Sequence, residues 1–98
     1  MTRDEALARI RPHERELRAA GLAALYLFGS TARDEAGVDS DVDLLCELDT
    51  HRNLGLFEFM DIQDLLTSVA ASKIDLVERR GLRPRIPARV EPDMVRVF

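Results

Sequence analysis

At 98 residues, 46% apolar and 33% charged, the chain has the make-up of one globular domain, spanning 1–98, with an adequate but small core. One cysteine, Cys46, excludes an intramolecular disulfide framework, and no apolar run approaches the ~20 residues of a membrane span. The net charge of −4 argues against stable, sequence-independent nucleic-acid binding.

The charge is also segregated. Residues 34–64 carry ten acidic side chains against one basic, Arg52, while residues 79–98 carry six arginines against Glu91 and Asp93. An acidic middle suits cations, and a basic stretch suits phosphates or an acidic partner. The start, Met1-Thr2-Arg3-Asp4-Glu5, has charge but no following apolar region, so no secretory signal is expected and a cytoplasmic protein is.

Thr2 and Glu5 have capping-box spacing, and Ala6, Leu7, Ile10 and Leu17 recur at helical intervals. Pro12 interrupts them, so either the helix kinks or a second helix begins with Pro12. Gly21 then caps the helical region. Leu25 to Phe28 reads as a buried strand, and Thr31 to Ala36 as a short helix stopped by Gly37. Val42 to Leu48 is a second strand, with Val42, Leu44 and Cys46 on one face and Asp41, Asp43, Leu45 and Glu47 on the other. Apolar neighbours make Cys46 a buried structural thiol.

Leu54 to Ser72 is the longest helical pattern, with Leu56, Phe59, Met60, Leu65, Leu66 and Val69 as its expected buried stripe. Ile74 to Val77 is a third strand and Gly81 a turn. Pro84, Pro87 and Pro92 leave room for only a short helix, and Met94 to Phe98 can add an edge strand. The order α-β-α-β-α-β predicts an α/β (α+β) fold, a small mixed sheet flanked by helices.

Three carboxylates stand where a strand should be apolar. Asp41 and Asp43 share a face because side chains alternate along a strand, which sets them about 6–7 Å apart at the backbone. Asp75 interrupts the third strand, and if that strand lies beside the second, all three acids converge. Such a group suits Mg²⁺, which prefers oxygen ligands and commonly bridges to substrate phosphates. Gly29 permits a tight turn, and Ser30 can cap a helix whose free N–H groups face an anion. Together these features suit phosphoryl or nucleotidyl transfer. Asp39-x-Asp41-x-Asp43 is not a calcium loop, since Leu44 replaces the required glycine and no acid follows at the twelfth position. His13 and His51 lack metal-ligand spacing.

Gly29-Ser30, ten residues and then Asp41-Val42-Asp43 resembles the signature of the DNA polymerase β-type nucleotidyltransferase superfamily. The longer strings Leu27 to Arg33, Asp39 to Leu45 and Lys73 to Val77 are similar to its minimal nucleotidyltransferase (MNT) domains. This resemblance implies a mixed sheet and transfer of AMP from ATP to a hydroxyl. It implies two Mg²⁺ ions on Asp41 and Asp43, with Asp75 holding one metal and helping to activate the acceptor. It further implies that Gly29 and Ser30 bind the β- and γ-phosphates, and that Arg33 either assists them or braces the acids.

Asp34 departs from the pattern, since relatives commonly have glycine there. Its charge either weakens triphosphate binding or faces water. MNT proteins are often paired with HEPN-domain ribonuclease toxins, which implies an antitoxin that adenylylates a toxin tyrosine. A non-catalytic toxin-masking module is the alternative, and transfer to RNA or a small molecule a third reading. The chain leaves no room for an accessory acceptor-binding domain, so the acceptor surface is expected from a partner.

Overall fold

Thr2 caps the first helix as its spacing predicts. Its hydroxyl accepts the Glu5 N–H at 3.1 Å, and the helix α1 runs Arg3–Ile10. The computed structural model describes residues 1–37, 40–79 and 94–98. Pro12 falls in a single 3-10 turn, Arg11–His13, after which α2 runs Glu14–Ala20. The proline therefore sits between two helices, where its missing N–H costs no helical bond. Gly21 ends α2 at φ 126°, and a Cβ there would come within 2.8 Å of the Leu54 side chain.

Strand β1 covers Leu22–Phe28, three residues earlier than the apolar run suggests, because Leu22 pairs with Leu48 across a bulge. A four-residue helix α3, Gly29–Ala32, follows, then β2 (Val42–Leu48), α4 (Leu56–Ala70), β3 (Ile74–Glu78) and β4 (Val95–Arg96). The sheet order is β3-β2-β1-β4. β2 lies antiparallel to β1 and parallel to β3, and β4 is the antiparallel edge beside β1. The mixed sheet flanked by helices is thus as predicted.

One face of the sheet carries the core. Leu25, Leu27, Leu44, Cys46 and Leu76 pack with Ala6 and Ile10 of α1, Leu17 of α2 and Phe59, Ile62, Leu66 and Ala70 of α4. Burying each large aliphatic side chain contributes about 1.5–3 kcal/mol. Cys46 is buried as expected; burial, then the adjacent Glu78 carboxylate, push its thiol up to about 12.

Two expectations fail in α4. Leu56 and Met60 are exposed, and Ile62 and Ala70 are buried in their place. The row through Leu56 and Met60 continues at i+4 into Asp64, so turning it inward would bury a carboxylate. The row through Phe59, Ile62, Leu66 and Ala70 has no such conflict. The expected turn at Gly81, the short helix before Pro92, and Asp39, Arg80, Arg83, Arg85 and Arg89 lie outside the described residues.

Candidate active site

The opposite face of the sheet carries the acids. Asp43 stands abreast of Asp75 on parallel β2 and β3, and abreast of Phe28, the last residue of β1. The backbone N–H of Val42 donates to Lys73 O at 2.9 Å and sets this register at the strands' start. Asp41 lies just before β2, exposed, while Asp43 and Asp75 are half-buried. The expected adjacency of the second and third strands is therefore observed, and it sets Asp75 beside Asp43.

The chain leaves β1 directly over this cluster. Gly29 adopts φ 71°, and a Cβ on it would strike the Asp43 carboxylate, 3.0 Å from its Cγ. Only glycine satisfies both the left-handed backbone and this approach. Helix α3 begins at Gly29 and its N-cap is Phe28, with no side-chain cap, so Ser30 is not the expected N-cap but the second residue of the turn. Its amide still belongs to the first turn, where N–H groups have no helical acceptor.

The helix also ends early. Arg33 is its C-cap and Asp34 takes φ 61°, so the expected helix to Ala36 does not form. Asp34 is held there from a distance: its Oδ1 accepts the backbone N–H of Arg3 at 2.9 Å. Its carboxylate is thereby turned toward the start of α1, where the helix end favours negative charge.

The acids and Arg33 share one electrostatic neighbourhood. Burial raises the Asp43 carboxyl above its ordinary 3.8, Asp75 and then Asp41 raise it further, and Arg33 opposes them. Arg33 also pairs with Glu35 at 3.3 Å. Among the described residues no three acidic, histidine or cysteine side chains are already drawn to metal-ligating distance. The donor set nonetheless fits a hard divalent cation. Every donor is a carboxylate oxygen, and the repulsion that lifts Asp43 is what such a cation relieves.

Two features of this face escape sequence reasoning. Thr31, inside the Gly-Ser turn, is buried with a hydroxyl that has no hydrogen-bond partner among the described residues. Tyr26 lies under the guanidinium groups of Arg79 and Arg96, 5.4 and 5.7 Å from its ring centre, and its hydroxyl donates to Glu47 at 3.3 Å. Alternation from Asp43 places Tyr26 on the acidic face only once the β1–β2 register is known.

Comparison with known proteins places the chain in a family. The chain is 32% identical over 98 residues to the protein adenylyltransferase MntA of Thermococcus cleftensis, covering 99% of this chain and 97% of that protein. A solved structure assigned as a minimal nucleotidyltransferase superposes with a TM-score of 0.77 at 29% identity, covering 97% of this chain and 95% of that one. An MNT antitoxin complexed with a tri-AMPylated HEPN toxin of Shewanella oneidensis shares the fold, with a TM-score of 0.61 at 21% identity over 90% of this chain and 68% of that one. The nucleotidyltransferase-domain family model matches residues 10–97, and with the Gly29 turn set against Asp43, itself abreast of Asp75, the chain belongs to that family.

Proposed function

We infer that this nucleotidyltransferase is a protein adenylyltransferase antitoxin, acting in the cytoplasm, which moves AMP from ATP to a tyrosine hydroxyl of a HEPN-domain toxin. The observation that carries the reading is the register that sets Asp43 beside Asp75 while Gly29 closes on Asp43. Kinship with the MntA adenylyltransferase supports the nucleotide and the protein acceptor.

Asp41, Asp43 and Asp75 would hold Mg²⁺, two ions in all, which neutralise charge on the phosphates and lower the pKa of a bound hydroxyl. The Gly29 and Ser30 amides would bind the β- and γ-phosphates, with no side chain at Gly29 to keep them away. Arg33 would brace the acids or assist with the phosphates. Asp75 orients the tyrosine hydroxyl and accepts its proton. The tyrosine oxygen then bonds to the α-phosphorus, the bond to the β-phosphate oxygen breaks in line, and pyrophosphate leaves with the electron pair.

Labelled ATP, Mg²⁺ and the cognate toxin provide the test. Label is expected on a toxin tyrosine, and none with Asp41→Asn/Asp43→Asn. If that double variant still neutralises the toxin at equal dose, masking by binding is the function instead.

A further inference from the structure

Among the described residues, the three large apolar side chains most open to solvent sit together on the first turns of α4. Leu56 is 61% exposed, Phe57 80% and Met60 51%. Leu56 and Met60 are i, i+4 neighbours and Phe57 and Met60 i, i+3, so they form one patch rather than scattered surface residues. Helix rows carry the patch into exposed carboxylates, Phe57 into Asp61 and Met60 into Asp64. α4 contains Glu58, Asp61 and Asp64 and no Lys or Arg.

We propose that this patch is a docking site for the acceptor protein, remote from the transfer site, that takes an apolar ridge flanked by Lys or Arg. Charge selects that occupant over a second copy of this chain. In antiparallel self-pairing centred on Met60, Leu56 would face the other copy's Asp64 and Phe57 its Gln63, and the aspartates flanking the patch would lose water with no α4 cation opposite them. A basic apolar partner satisfies the same carboxylates.

Position supports a docking role as well. β2 runs away from Asp43 and α4 returns to β3, so the start of α4 lies at the end of the sheet opposite the acids. Leu54, just before α4, packs against Gly21 at the start of β1, which fixes that end. A partner seated on Leu56, Phe57 and Met60 therefore leaves the carboxylates open, and its tyrosine must arrive on a separate segment of chain.

The inference rests on the proposed transfer to a toxin, and the experiment separates the two. Phe57→Asp/Met60→Asp and, separately, Asp61→Lys/Asp64→Lys are compared with the natural protein. The substrates are the whole cognate HEPN toxin and a short peptide carrying only its modified tyrosine. Toxin affinity is also measured without ATP. Both variants should raise KM and Kd for the whole toxin tenfold or more, leave kcat unchanged and leave peptide kinetics unchanged.

Whole-toxin values within twofold of the natural protein would overturn the proposal. So would an equal loss with the peptide, which marks damage at the transfer site. A dimer of the natural protein that Phe57→Asp/Met60→Asp dissociates would assign the patch to a second copy. If the natural protein binds toxin but transfers nothing, the transfer reading falls and the Kd values alone decide docking. If it does not bind the toxin, docking falls too.

Discussion

Replacing Gly29 by alanine tests the approach of the turn to the acids without removing any charge. Two terms add. At φ 71° an L-residue costs roughly 1–2 kcal/mol. The new Cβ also falls on the Asp43 carboxylate, and rotating that side chain off its rotamer costs a further ~0.5–1.5 kcal/mol. A total near 2–3 kcal/mol lowers the melting temperature of a domain this size by roughly 10–20 °C. Asp43 moved by about an ångström should cost about 100-fold in transfer rate, measured below the variant's melting point. The double variant Gly29→Ala/Asp43→Ala separates the terms: without the carboxylate, Gly29→Ala should cost only the backbone part, leaving a coupling of ~0.5–1.5 kcal/mol. A melting temperature within about 3 °C of the natural protein, or no coupling, would refute the reasoning.

Because the Asp43 carboxyl lies above 3.8 in the folded, metal-free protein, the folded state holds its proton more tightly than the unfolded one. Metal-free stability should therefore fall as pH rises from 3.8 through the raised value. Asp43→Asn should raise the metal-free melting temperature at pH 7 and blunt its response to Mg²⁺, and a lower melting temperature would contradict this. Asp34→Gly suits φ 61° but loses the acceptor for Arg3 N–H, so stability should change by less than about 1 kcal/mol and transfer by less than twofold. A several-fold gain in transfer would mean that its charge reaches the phosphates. Cys46, with its thiol pushed up to about 12, should resist iodoacetamide at pH 8 until the chain is denatured, and labelling of the folded protein within minutes would contradict its burial.

Asp41 and Asp43 are legible as a pair because alternation along one strand fixes their common face without any tertiary information. Asp75 is legible only conditionally, because its meeting with Asp43 depends on which strands are neighbours and in what register. The end of α3 is not legible at all. Thr31 to Ala36 has no local helix breaker before Gly37, and the helix stops because Asp34 reaches the amide of Arg3, 31 residues away. The buried stripe of α4 fails for a different reason. Two apolar rows compete in that helix, and the one that buries no acid wins only when the whole helix is docked. Local pattern thus reads the chemistry better than the packing, since the chemistry is concentrated in a short turn and a strand.

Among the described residues, departures from a self-consistent fold stand at both ends of the sheet. At the acidic end, Gly29 is left-handed, Asp43 is half-buried among like charges and the Thr31 hydroxyl is buried without a partner among the described residues. Each of these disfavours the folded chain on its own, and all three lie within the turn and strands that surround Asp43. A ligand with cations and phosphates reverses the like-charge term, so the strain belongs to binding and not to folding. At the other end, Leu56, Phe57 and Met60 break the rule that large apolar groups go inside, because the acids that share their helix rows keep that side of α4 in solvent. A fold that stores its electrostatic conflict at one end and its apolar excess at the other separates reaction from recognition. Acceptor choice can then change through α4 without disturbing the register of Asp43 and Asp75.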